Sequence, residues 1–185
     1  GNIIISFGTI NMSSGSGATN INLGGNFNMS GGTITESLSG SGTITFIGSS
    51  TQTFTKSSGT ISEKINFTIN NSNGLTLNNN LVINGLATLT MTTGNINLNG
   101  NTLTIGEGRG STTVGNLSWA SGFIVGTGTL RRWIQSSITI NVGEVAGLFP
   151  FGNSNDNRNV WIGCITTSSG GGTIAVQHSN QTGYT

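Results

Sequence analysis

Short triplets with apolar first and third residues, set apart by Gly, Asn and Ser, recur about every seven residues along most of this chain. Between Leu75 and Ile105 they read Leu75-Thr76-Leu77, Leu81-Val82-Ile83, Leu89-Thr90-Met91, Ile96-Asn97-Leu98 and Leu103-Thr104-Ile105, with starts 6, 8, 7 and 7 residues apart. A strand this short cannot sustain a sheet by itself. Repeated at near-constant spacing, such strands stack into coils whose inward side chains share one core. Three strands per coil predict a period of about 21 residues and about six coils over residues 1–130, a rod ~30 Å long.

The composition agrees with a thin core and an uncharged surface. Of the 185 residues, 33% are hydrophobic and 6% charged, against roughly 25% charged in an ordinary domain. Polarity comes from Ser, Thr, Asn and 31 Gly instead. Disordered chains combine low hydrophobicity with high net charge, whereas this one alternates in period two and carries a net charge of +1. No window keeps a 3.6-residue period, so helix is not expected. The six cations are Lys56, Lys64, Arg109, Arg131, Arg132 and Arg158, of which only Arg131 and Arg132 are adjacent. That is no basic patch for nucleic acid. No apolar run approaches the ~20 residues of a spanning helix, so membrane insertion is not expected.

Turn chemistry marks the corners. Gly24-Gly25, Gly31-Gly32, Gly40, Gly42 and Gly94 can take positive φ. Asn70-Asn71 and Asn78-Asn79-Asn80 are expected at corners too, where Asn tolerates left-handed backbone and can stack in hydrogen-bonded ladders. Gly106-Glu107-Gly108-Arg109-Gly110 is read as an outward bulge. Near Gly126 the pattern changes: longer strands are expected over 138–142, 159–166 and 172–177, and the only Pro lies in this part. The reading is all-β: a β-solenoid over residues 1–130, then the start of an antiparallel β-sandwich over 131–185, truncated. The first residues already read as a strand and the last show no cap, so an internal piece of a longer or processed chain is expected.

One segment resembles a known idiom. Gly24-Gly-Asn-Phe-Asn-Met-Ser-Gly-Gly-Thr-Ile34, then Gly42-Thr-Ile-Thr-Phe46 and Thr51-Gln-Thr-Phe54, is similar to the repeats of large surface proteins of Bacteroidota exported by the type IX secretion system. Gly128-Thr-Leu-Arg-Arg-Trp-Ile134, Phe149-Pro-Phe-Gly152 and Asn159-Val-Trp-Ile162 resemble the segment that follows such repeats. Phe151 replaces the usual Val there, and Asn159 the usual Pro. The family includes gliding-motility adhesins and other long surface fibres. The resemblance implies an extracellular or cell-surface location. It implies as partners surface glycans, other cell-surface proteins, or the secretion machinery that would carry the chain as cargo.

Catalytic chemistry finds little purchase. Glu36, Glu63, Glu107, Glu144 and Asp156 stand alone in sequence, and no two are 21 residues apart, the register that would stack them. A lyase or hydrolase would need such carboxylates paired; Glu63 and Glu107, near two periods apart, come closest. Asp156 in the Asn-rich loop 153–159 has oxygen donors for calcium around it but reads first as an exposed turn. Cys164 reads as a small buried apolar residue, with His178 the one histidine. Alternation puts Arg131 and Trp133 on one face of their strand and Arg132 on the other, with Arg-on-Trp stacking at a domain seam as the structural expectation. Arg131, Trp133, Trp161 and Asp156 are the candidates for a ligand-binding or domain-seam surface, with Trp119 and Tyr184 as further aromatic candidates for sugar contact. Thr-x-Thr pairs recur, as on ice-binding solenoids, but at irregular spacing and on different strands. The expectation is a non-catalytic stalk or adhesive segment with no catalytic residue, cofactor or metal. The rivals are a carbohydrate-active β-helix and an ice-binding solenoid.

Overall fold

The computed structural model describes residues 1–36, 39–62, 64–107, 116–135, 137–153, 156–164 and 171–179, Glu107 by its backbone alone. Glu63, Arg109 and Tyr184 lie outside these residues, as does most of the bulge expected at 106–110.

The triplets become strands, three to a coil. The first coil carries β1 (Ile3–Ile5), β2 (Thr9–Asn11) and β3 (Ala18–Leu23). The second carries β4 (Phe27–Met29), β5 (Thr33–Thr35) and β6 (Ser41–Phe46). The third has β7 (Gln52–Lys56), β8 (Thr60–Ile61) and β9 (Ile65–Asn70), and the fourth β10 (Leu75–Leu77), β11 (Leu81–Asn84) and β12 (Thr88–Thr93). The fifth has β13 (Ile96–Asn97), β14 (Thr102–Glu107) and β15 (Asn116–Trp119), after which β16 (Ile124–Val125) and β17 (Gly128–Ile134) begin another. All pairing between successive coils is parallel. The result is a three-faced β-solenoid of about five turns, or about 24 Å of rise at ~4.8 Å per coil. The first face is the ladder β1-β4-β7-β10-β13-β16 and the third is β3-β6-β9-β12-β15.

Coil length is not constant. Partners lie 21 residues apart at Leu75 and Ile96, 24 at Ile3 and Phe27, 27 at Phe27 and Phe54, and 28 at Ile96 and Ile124. The expected 21-residue period is therefore the short limit, because corners vary in length while strand register does not. Fewer turns fit in the same chain as a consequence.

Alternation fills the interior. Ile44, Phe46, Phe54, Ile69, Leu77, Ile83, Leu89 and Leu103 are fully buried, and their neighbours in sequence face outward. Phe27 stacks on Phe54 of the next coil with ring centres 5.0 Å apart, and Phe67 meets Phe54 edge-on at 6.0 Å. Asn side chains extend the ladders around the corners by accepting from backbone N–H groups one coil away. Asn26 accepts from Thr53 at 2.9 Å, Asn66 from Thr88 at 2.8 Å and Asn80 from Thr102 at 2.9 Å. Gln52 and Asn71 are among the few buried polar side chains. The Gln52 amide donates to Leu23 O (2.8 Å) and Gly25 O and accepts from Gly48 N (2.8 Å) and Asn71 Nδ2 (3.1 Å). Every polar atom of that side chain is satisfied, which is the condition for burying it.

The second face is broken in two, β2-β5-β8 and then β11-β14-β17. The first three corners onto it are Ser6-Phe7-Gly8, Ser30-Gly31-Gly32 and Ser57-Ser58-Gly59, the last Gly of each at φ between 73° and 87°. The fourth corner is Asn78-Asn79-Asn80, with none of the three at positive φ. Phe54 and Leu77 are register partners, yet β8 starts six residues after Phe54 and β11 only four after Leu77. The shortened corner displaces β11 along the face, and β8 and β11 do not pair.

Beyond β17 the chain closes the end of the solenoid. A single 3-10 turn (Val145–Gly147) leads into β18 (Leu148–Phe149), which pairs antiparallel with β19 (Val160–Trp161). Finally β20 (Gly172–His178) pairs antiparallel with all seven residues of β17. The antiparallel part is thus joined to the last coil through β17, which itself spans residues 128–134. Of the strands expected at 138–142 and 159–166, the structure forms an isolated bridge between Ile140 and Cys164 and the two-residue β19. Gly143 at φ 100° and the hydrogen bonds between Asn141 and Glu144 turn the first segment away from extended backbone.

Candidate functional site

Two regions carry side chains arranged beyond what a core requires: the closed end and the third face. At the closed end the inward column Ile83–Ile105 continues in register to Arg132. Arg132 is 1% exposed, and its guanidinium donates to Val145 O (2.8 Å) and to Leu148 O. It also lies over the Phe149 ring, 5.9 Å from the centre. A cation thus substitutes for an aliphatic residue where the segment 145–149 crosses the end of the core with its carbonyls turned inward. Burial lowers the Arg132 pKa to about 10. Pro150 O accepts from Ile124 N at 2.7 Å, and Gly152 N donates back to Ile124 O at 3.3 Å, which covers the edge of β16. His178 donates from Nδ1 to Gly126 O at 2.7 Å and stacks on Phe151 with ring centres 5.2 Å apart.

The four surface residues proposed from the sequence are spread over this closed end. Arg131 and Trp133 share the outward side of β17, as alternation requires, opposite Ala175 and Thr173 of β20. Trp161 is half-buried on β19 beside Leu148. Asp156 is exposed, with its carboxylate 3.4 Å from Arg158 and its N–H donating to Asn153 Oδ1 at 2.8 Å. The buried arginine, Arg132, is the one whose guanidinium lies over an aromatic ring at this seam, that of Phe149. Trp119 is a seam residue: it packs on the core and donates to Gly122 O at 2.8 Å. Cys164 is half-buried on the wall of an apolar cavity of about 260 Å3 with Ile134, Ile140, Ile162 and Ile174.

Carboxylates do not gather among the described residues, where no three His, Cys, Asp or Glu side chains come together. Glu36 accepts from the Ser62 hydroxyl one coil on. The local coil of 27 residues, from Ile34 to Ile61, equals the separation of Glu36 and Glu63. Glu63 itself lies outside the described residues. Glu144 is held below the usual carboxylate range by hydrogen bonds from the side chain and backbone of Asn141.

The third face holds an arrangement that the sequence spacing conceals. Its registers place Asn20, Thr43, Asn66, Thr88 and Asn116 in one outward row. Asn22, Thr45, Thr68, Thr90 and Ser118 form a second row two residues along. The spacings are 23, 23, 22 and 28 residues, so the pairs look irregular in sequence yet stack directly in space. Rows lie ~7 Å apart along the strands and ~4.8 Å across them. The ten side chains carry hydroxyls or amides and no charge. The other Thr pairs do fall on other faces, Thr33 and Thr35 on β5, Thr53 and Thr55 on β7, Thr102 and Thr104 on β14.

No family model matches this chain, and neither curated proteins nor solved structures give a match.

Proposed function

We propose that this chain is a structural and adhesive segment of a long secreted bacterial surface protein, carried out by the type IX route and acting without catalysis. The observation that supports this reading best is the pair of in-register polar rows on the third face. An uncharged, repeating grid of hydroxyls and amides suits contact with an extended hydroxylated surface such as a cell-surface glycan or a neighbouring surface protein. The ladders support the stalk part of the role, because backbone hydrogen bonds between coils share a shearing force across three faces. The test is a glycan-array and whole-cell adhesion assay on this chain beside its full-length parent. Binding by the chain alone makes it an adhesive module. Binding by the parent alone makes it a stalk, and binding by neither removes the adhesive part of the reading.

A second reading draws on the same rows. Thr45, Thr68 and Thr90 stack on successive coils next to Thr43 and Thr88, a layout suited to ordering water on an ice surface. Thermal hysteresis in a nanolitre osmometer is the expected sign, and growth of unshaped ice crystals at millimolar protein would dismiss it.

A further inference from the structure

The break in the second face opens a cleft of about 250 Å3 between β8 and β11. Two side-chain hydrogen bonds pin its ends. Lys56 N donates to Asn79 Oδ1 at 3.0 Å, and Asn84 Nδ2 donates to Ile61 O at 3.4 Å. Its floor is apolar, from Phe54, Ile61 and Leu81, and its rim is Lys56, Thr60, Asn80 and Asn84.

The unused polar atoms of that rim define a chemistry. Asn80 spends its Oδ1 on Thr102 N, which leaves its amide N–H groups, while Asn84 spends its Nδ2 and leaves Oδ1. Among the described residues the Lys56 ammonium has no hydrogen bond or ion pair, and no carboxylate lines the cleft. The rim therefore presents a cation, an amide donor, a hydroxyl and an amide acceptor above an apolar floor. A pyranose ring offers the match: an apolar face for the floor, hydroxyls for the amides and, when acidic, a carboxylate for the ammonium. The volume is smaller than a drug-sized pocket and suits one ring of a longer chain passing through.

From this geometry we infer that the cleft binds a carboxylate-bearing sugar unit of an acidic polysaccharide. The site deepens the surface-segment reading and rests on it for the source of the ligand.

The experiment is a titration of the ¹⁵N-labelled chain with tri-galacturonate, with a neutral galactose trisaccharide, and with acetate, followed by amide chemical shifts. Tri-galacturonate is expected to move the signals of Thr60, Ile61, Val82 and Asn84. The neutral sugar should bind about tenfold or more weaker, as should tri-galacturonate to Lys56→Met. That variant keeps the apolar stem and the backbone bond to Asn79, so unchanged signals elsewhere report an intact fold. Shifts elsewhere only, unchanged affinity in Lys56→Met, or equal effects from acetate would each overturn the site. The two readings fail separately. Cleft binding lost with cell adhesion intact overturns this site alone; cleft binding without cell adhesion supports the site and counts against the adhesive role.

Discussion

Replacing Gln52 with Leu keeps nearly the same shape in the first-face column and deletes a buried amide. In the native fold that amide joins three coils, through Leu23 and Gly25 on one side and Asn71 on the other. Some partners survive its loss. Leu23 O still accepts from Ile47 N, and Asn71 Nδ2 still reaches Ser50 O at 2.8 Å and Gly74 O at 3.2 Å. Gly48 N–H and Gly25 O lose the side chain that satisfied them. At ~1–3 kcal/mol for each of the two stranded groups, the expected loss is about 2–6 kcal/mol. Gln52→Glu should be worse at neutral pH, because a desolvated carboxylate would face two carbonyl oxygens. Its folded pKa would be raised above the unfolded value of about 4.3, so the variant should lose stability as pH rises from about 4 to 7. Urea unfolding followed by tryptophan fluorescence and far-UV circular dichroism gives both numbers, with m checked for constancy. A Gln52→Leu loss under ~0.5 kcal/mol would refute the reasoning, since it would mean that water or the backbone satisfies those groups without the side chain.

Arg132→Ala should cost about 3 kcal/mol and raise amide exchange over residues 145–152, because Val145 O and Leu148 O lose a charged donor; Arg132→Met should cost less, since it fills the volume and removes a buried charge. The lowered Arg132 pKa acts only at high pH: below about 10 the group is protonated both folded and unfolded, so wild type should gain stability relative to Arg132→Met as pH rises above 10, and parallel melting curves from pH 9 to 12 would contradict this. Gly94→Ala should lose about 2 kcal/mol or more in thermal or urea unfolding, because Gly94 sits at φ 88° and a Cβ there would collide with the Asn71 carbonyl. With few charges and an exposed Arg158–Asp156 ion pair, the melting temperature should move by only a few degrees between 0.05 and 1 M NaCl, and a large shift would show that surface charge matters more than this fold implies.

The strands and their grouping in threes are legible in the sequence because alternation is local. Leu75-Thr76-Leu77 and Ile96-Asn97-Leu98 declare their inward sides without knowledge of their neighbours. Gln52, two residues before Phe54, shares its inward side, but its burial emerges only in the structure, where its partners lie on three coils. The Arg131, Arg132 and Trp133 alternation held too, but what Arg132 meets did not follow, because its acceptors lie 13 and 16 residues on, in a segment without periodicity. Coil length is not legible where corners differ: Ser57-Ser58-Gly59 and Asn78-Asn79-Asn80 are both triplets of turn-forming residues, yet they place the next strand differently. That one difference opens the cleft. The same variation hides the third-face rows, whose members become neighbours only once each coil closes at its own length.

The most direct test of a surface role for the third face is a single charge at its centre. Thr68→Lys points outward between Thr45 and Thr90, so it should leave the melting temperature within a few degrees of wild type. Whole-cell and glycan-array binding by this variant should fall at least about tenfold, as one buried unpaired charge in a contact requires. Binding equal to wild type would contradict the account and place adhesion, if the chain has it, elsewhere on the solenoid.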